Sequence, residues 1–313
     1  MTASASSPGP AADPTDWRRW VVYQRERFPL LAHGPLIGAF AFAAVSVSAA
    51  GRGERPPWSA VLVAAATALV AFFQLRVIDE HKDAAEDARW RPYRAVPRGL
   101  VTLGELRAIA VAGAVLQATL AWWLAPKLLL PLVALWGMLA LMAVEFGLGQ
   151  AMHGKPLLIL LSHGIVVPCV DAYASMTDWY VAGGTPATLL VSFLVASYAN
   201  GIVVEIGRKL RAPADEEAGV STYTADWGTP RALATWGGAV MLSLASALLV
   251  AKQLGTLLPT ALVLGAAASQ VAYGAHQVWH GAPKAGRFAE RGAGLWTLSL
   301  YGALGLLPWW RVS

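Results

Sequence analysis

Nine apolar stretches, each close to the length of one membrane crossing, limit what this chain can fold into. They cover residues 29–50, 58–78, 103–124, 128–147, 157–176, 185–206, 230–251, 255–277 and 292–310. A helix of about 20 apolar residues spans the roughly 30 Å hydrocarbon core of a bilayer. The expected architecture is therefore all-α: a polytopic membrane protein of nine transmembrane helices. Charged residues make up only 14% of the chain and mean hydropathy is +0.50, where a soluble domain carries about 25% charged residues. The pI near 9.5 needs no nucleic-acid partner, because cytoplasmic loops rich in Lys and Arg produce the same excess. The single cysteine, Cys169, excludes an internal disulfide and lies in an apolar run, where it reads as a small packing residue.

Residues 1–16 are rich in Ser, Ala and Pro and read as a disordered tail, followed by one transmembrane domain over 17–313. No basic, then apolar, then cleavage-site pattern marks a removable signal peptide. From Trp17 to Arg27 aromatics alternate with arginines, as suits a helix lying on an anionic leaflet. With a cytoplasmic N-terminus, the outer side holds five of the 24 Lys and Arg residues, Arg52, Arg55, Lys127, Lys252 and Arg311. That asymmetry fixes the orientation and places the loops after the second and sixth stretches in the cytoplasm. Asp79 and Glu205 then stand at equivalent helix ends, which hints at a four-helix repeat closed by the last helix.

The second stretch runs directly into Arg76-Val77-Ile78-Asp79-Glu80-His81-Lys82-Asp83-Ala84-Ala85-Glu86-Asp87. On a continuous helix each four-residue step turns about 40°, so Asp79, Asp83 and Asp87 share one face within about 80° of arc. Close carboxylates resist joint ionisation, and a divalent cation relieves the repulsion. Magnesium takes oxygen ligands and is usually held by one or two carboxylates together with substrate phosphates. The expectation is a magnesium–diphosphate site at the membrane surface, set against a plain solvated helix end in which Lys82 pairs with Glu86.

Arginine matches phosphate oxygens with a planar fork of donors. Arg94 and Arg98 follow the carboxylates closely enough to share an anion with Arg76 and Lys82. In the second loop Glu205 stands at a membrane edge, where a carboxylate is costly and a functional candidate. Its plain alternative is an i,i+4 pair with Lys209. Arg208, Lys209 and Arg211 add further diphosphate ligands.

With these motifs in place, the chain resembles the UbiA superfamily of intramembrane prenyltransferases. The resemblance rests on the Asp79, Asp83, Asp87 spacing, on the Arg94 to Gly99 segment (Arg-Ala-Val-Pro-Arg-Gly), and on a second polar motif after the sixth stretch. It implies helices around a central cavity in which two acidic motifs bind Mg2+ and the diphosphate of an isoprenoid donor. Asp79, Asp83 and Asp87 would then be metal ligands, with Asp79 where the family often has asparagine. Where the family usually has two aspartates four apart, this chain has Glu205 and Lys209. Glu205 would serve as ligand, and either Asp215, Glu216 or Glu217 folds back or Lys209 itself neutralises phosphate. The implied chemistry is ionisation of an isoprenoid diphosphate and transfer of the prenyl group to an aromatic or other small acceptor, with Asp83, Glu205 and Lys209 catalytic. A terpene cyclase on the same scaffold is the alternative, and a transporter of an anionic solute a distant one.

Other polar residues fall within or beside spans: Glu145, Gln150, His163, Asp171, Tyr198, Asn200 and His276. Interhelical hydrogen bonds account for such residues in most membrane proteins. Trp58, Trp179, Trp309 and Trp310 read as interfacial belt residues. Trp136 and Trp236 lie deeper, positioned either for packing or to face a cation.

Overall fold

The computed structural model describes residues 16–149, 154–217 and 220–310. Apart from Asp16 the expected tail lies outside the described residues, as do Gln150 and Arg311. Among the described residues the secondary structure is helical, with no strand.

Helix α1 (Arg18–Arg27) precedes α2 (Leu30–Gly51) and α3 (Trp58–Lys82), which leads at once into the short α4 (Ala84–Trp90). Then come α5 (Leu103–Leu124) and α6 (Leu129–Ala143), followed by α7 (Pro156–Gly164) and α8 (Val166–Met176), which together make one crossing. Helix α9 (Leu189–Arg208) and the short α10 (Tyr223–Trp227) lead to α11 (Thr229–Gln253), α12 (Leu257–Trp279) and α13 (Ala285–Leu306).

Eight of these helical segments are long and apolar enough to cross a bilayer. The ninth expected crossing departs from that pattern for a physical reason. Helix α13 begins at Ala285 rather than residue 292, so Arg287, Glu290 and Arg291 join its first turns. It packs as the closing helix, against α12, α9 and α2.

Local sequence explains the other boundaries. The fifth crossing breaks between Gly164 and Val166 because Pro168 has no N–H to bond the Gly164 carbonyl. Pro131 sits in the first turn of α6, where no intrahelical donor is lost. Thr102 and Glu105 form a capping box at the start of α5.

Neighbour relations repeat between the halves. In the first, α2 packs on α3, α3 on α5 and α5 on α6; in the second, α8 packs on α9, α9 on α11 and α11 on α12. Asp79 and Glu205 thus end equivalent helices. In lipid, apolar burial gives helices little reason to associate, so close packing of small residues takes over. A Cβ on Gly207 would lie 2.7 Å from the Ala293 Cβ, and one on Gly274 would lie 2.9 Å from the Ala289 Cα. Helices α9, α12 and α13 therefore meet almost backbone to backbone.

At the end away from the acidic loops, Phe42, Trp58 and Trp309 cluster with ring centroids 5.4–6.3 Å apart, and Trp310 is exposed. Asp178 accepts from Arg52 at 2.7 Å and from Ser48 at 2.7 Å. Burial opposes the Arg52 charge, but Asp178 and Glu54 outweigh it and raise its affinity for the proton above the ordinary value.

Candidate active site at the loop end of the bundle

The last turn of α3 carries charges facing three ways. Asp79 is about half exposed, its side chain 45% accessible and 3.4 Å from an Arg76 nitrogen. Asp83 caps the helix with its backbone N–H on the Asp79 carbonyl at 2.9 Å. Its carboxylate makes no hydrogen bond or ion pair among the described residues. Asp79 and Asp83 are close enough for each to feel the other's charge. Between them in sequence, Glu80 turns inward and is buried, held by Arg27 at 2.6 Å and within 3.8 Å of Arg76.

Asp87 stands apart. It lies on α4, 2% exposed, and is surrounded by Arg94 at 2.6 Å, Arg91 at 2.9 Å and Arg27 at 3.9 Å. Arg98 turns away to Glu26, at 2.9 Å, and to the Tyr93 carbonyl, at 2.7 Å. Arg94 and Arg98 thus tie the loop together and pin it to α1. Helix α1 gains a third tie where Arg19 meets Glu105 at 2.5 Å. Neither Glu80 nor Arg27 stands out in the sequence as a site residue. The signal for Glu80 was helical phase: it lies about 100° from Asp79 on a helix of 3.6 residues per turn.

The end of α9 is built differently. Both Glu205 oxygens are taken by cations of its own chain segment, Arg208 at 2.6 Å and Lys209 at 2.8 Å. Lys209 also rests over the Tyr223 ring, 5.7 Å from its centroid. Burial and the Glu205 charge push the Tyr223 hydroxyl well above its ordinary value, so it stays a donor at neutral pH. Arg211 closes the helix by donating to the Arg208 carbonyl at 3.0 Å and to the Leu210 carbonyl at 2.8 Å. Glu216 stays within its loop, accepting from Thr222 and Thr224 at 2.7–2.8 Å.

The two helix ends face each other. Arg208 lies within electrostatic reach of both Asp79 and Arg76, and His33 on α2 feels both arginines. A further wall comes from the turn after α6, where Glu145 and Phe146 adopt φ of 51° and 57°. Left-handed backbone is costly for non-glycine residues and collects where a site holds it in place. Here it brings Glu145 within 2.9 Å of Lys82. The hydrogen bond from Lys82 holds the Glu145 carboxyl below its ordinary range. Lys82 thus reaches across the bundle, and Glu86 pairs instead with Arg91 at 3.5 Å.

Most intramembrane polar groups are tied helix to helix. Tyr198 donates to the Leu161 carbonyl at 2.9 Å, Thr297 to Asn200 at 3.0 Å, and Trp236 to the Val203 carbonyl at 2.9 Å. Trp136 and Gln74 both donate to Gln117, at 2.8 and 3.2 Å. His163 bonds back to the Ile159 carbonyl at 3.0 Å, and the His276 ring lies tilted against His280, centroids 4.3 Å apart. Asp171 differs: it is fully buried, one oxygen 3.4 Å from the Tyr301 hydroxyl and the other without a partner.

Among the described residues no three His, Cys, Asp or Glu side chains gather as a ready metal cage. A hard cation held by one or two carboxylates together with a substrate's phosphates needs no such cage. The lightly neutralised pair Asp79 and Asp83, with Arg76 and Arg208 nearby, fits that requirement.

This arrangement of helices has precedent among solved structures. An apo structure of a UbiA homolog from Aeropyrum pernix K1 aligns with a TM-score of 0.62 at 17% identity, covering 87% of this chain and 96% of that one. The chain has the UbiA fold. A structure of digeranylgeranylglyceryl phosphate synthase in membranes aligns with a TM-score of 0.59 at 15% identity, over 92% of this chain and 99% of that one. No family model and no curated protein matches the sequence. Within this fold the chain carries Asp79 and Asp83 at the end of α3 and a Glu–Arg–Lys cluster at the end of α9.

Proposed function

We propose that the protein is an intramembrane prenyltransferase that ionises an isoprenoid diphosphate at the loop end of the bundle and passes the prenyl group to an aromatic or other small acceptor. The observation that carries this reading is the pair Asp79 and Asp83: two neighbouring carboxylates at a membrane helix end, one paired with Arg76 and the other without an ion pair among the described residues, with Arg208 within electrostatic reach. Lone carboxylates there are costly, and a cation with its diphosphate relieves the cost. The fold it shares with a digeranylgeranylglyceryl phosphate synthase agrees with this reading.

In this reading Asp79 and Asp83 hold Mg2+, and Asp87 serves instead to anchor Arg91 and Arg94. When bound, the ion offsets the charge that builds on the diphosphate as its carbon–oxygen bond breaks. Arg76 and Arg208 donate to the phosphate oxygens, fixed in place before the charge develops. Lys209 and the Tyr223 hydroxyl add donors on the α9 side. The electron pair of the broken bond leaves with the diphosphate. The allylic cation stays among apolar helices, which keep water from it. The acceptor then attacks the cation and loses a proton.

The paired state of Glu205 keeps a second reading in view. With its oxygens held by Arg208 and Lys209, this end offers cations rather than a second metal cage, and the same ionisation could serve a terpene cyclase. Incubating purified protein with a panel of isoprenoid diphosphates and Mg2+, with and without aromatic acceptors, tests both. Diphosphate release with prenylated acceptor, abolished by chelator, is expected. Product without any acceptor points to cyclisation. No release from any member of the panel, in protein that remains folded, defeats both readings.

We propose that the loops lie in the cytoplasm and the N-terminus with them, a reading supported by the distribution of Lys and Arg. Cleavage by trypsin within the segment from Arg89 to Arg98 in inside-out vesicles, and protection in right-side-out vesicles, is the expected result.

A further inference from the structure

A cavity of about 490 Å³ lies on a different face of α3 from Asp79, in the angle between α3, α5 and α6. That volume is in the range of small-molecule sites, about 300–1,000 Å³. Its walls are apolar, formed by side chains such as Val77, Ile78, Ala114 and Leu139. It opens sideways, past the exposed Val111, to where lipid chains would lie.

The mouth is basic. His81, Lys82 and Arg107 line it at the loop end. Arg107 is exposed and has no hydrogen bond or ion pair among the described residues. His81 commits one ring nitrogen to the Val77 carbonyl at 2.8 Å and leaves the other uncommitted. Lys82 is the Glu145 partner, at 2.9 Å, which brings that carboxylate close to the mouth. Two of the three basic groups therefore have no anion, directly above an apolar trough at the level of the lipid headgroups.

We propose that this groove binds one anionic glycerophospholipid of the surrounding leaflet, an acyl chain in the trough and its phosphate at Arg107, His81 and Lys82. Lipid tails are as apolar as the trough, so filling it gives little preference by itself. Preference comes from the rim, where each Lys or Arg near the headgroups attracts anionic lipid. The trough converts that attraction into a single defined position. Because Lys82 is shared, the bound phosphate competes with Glu145 and so touches the turn that walls the candidate active site. The inference stands on the groove and its rim, and does not depend on the reaction proposed above.

The test is native mass spectrometry of the purified full chain in detergent, titrated with phosphatidylglycerol or with phosphatidylcholine of the same acyl chains. One retained phosphatidylglycerol is expected, with phosphatidylcholine held several-fold more weakly. Arg107→Gln should weaken the anionic lipid about fivefold, and Arg107→Lys should restore most of it. Ala114→Phe, which fills the trough and leaves the rim intact, should weaken both lipids. Arg231→Gln, an exposed arginine elsewhere, should change neither. Circular dichroism melting of each variant confirms that loss of lipid is not loss of fold. Equal retention of the two lipids, indifference to Arg107→Gln, or displacement of the lipid by an excess of isoprenoid diphosphate would each overturn the proposal.

Discussion

The ends of α3 and α9 occupy equivalent places in the two halves, yet handle their acids in opposite ways. At α9 the carboxylate of Glu205 is closed by Arg208 and Lys209 from its own segment. At α3 the cations are diverted: Arg27 goes to Glu80, and Arg91 and Arg94 go to Asp87. Asp79 and Asp83 are left with only Arg76 at 3.4 Å. An arginine-rich loop thus leaves two carboxylates available because two neighbouring acids absorb its charge. One end is suited to a cation, the other to an anion, and a metal-bound diphosphate needs both.

The largest effect should come from removing the open pair. Asp83→Ala is expected to cut diphosphate release by at least about a hundredfold, the scale of losing one preorganised electrostatic partner. Thermal melting of the detergent-solubilised protein should hardly move, since Asp83 pairs with nothing. Turnover that survives the change would erase the contrast between the two ends.

Glu80→Gln should make the α3 end resemble the α9 end. It leaves Arg27 and Arg76 short of their buried partner, and breaking a buried pair in this way costs about 3–5 kcal/mol. A lower denaturation midpoint is expected, together with weaker Mg2+ dependence as Arg76 turns to Asp79. An unchanged midpoint would mean that Glu80 does not hold the arginines.

Lys209→Asp sharpens the other side. If the α9 end holds phosphate through cations, the apparent affinity for the diphosphate should fall about tenfold, near 1.4 kcal/mol, and extra Mg2+ should not restore it. Full activity with a changed Mg2+ titration would instead mark a second metal site. The smallest effect belongs to Arg98→Gln. Its pair with Glu26 is partly exposed and worth about 1 kcal/mol or less, and turnover should stay near that of the parent because Arg98 faces α1.

The crossings were legible because about 20 apolar residues in a row have few other uses. The clustering of acidic residues at the end of α3 was legible too, since three aspartates at a span's end are conspicuous. The assignment of partners was not. Spacing says that Asp87 falls on the same helical face as Asp79, but a small change at Asp83, with φ −88° and ψ 0°, starts a new helix whose acid belongs to Arg91 and Arg94. Lys82 could reach Glu86 in sequence, and it pairs with Glu145 because a left-handed turn more than sixty residues later brings that carboxylate across. Local charge patterns name the actors, whereas pairing depends on long-range packing. Glu205 and Lys209 do form the i,i+4 pair that stood as the plain alternative to a metal-ligand role for Glu205, because that pairing is local.

The ties of α1 to the rest of the chain carry a consequence for how the protein is made. Arg19 and Arg27 find their acids 86 and 53 residues downstream. On the ribosome this helix emerges long before either partner and must wait at the bilayer surface until α3 and α5 have inserted. The loop bearing Asp87 therefore settles only once an early segment docks late. Fusion tags or truncations that disturb Arg19 or Arg27 would be felt first as poor maturation of the candidate site, in a protein whose crossings have all inserted.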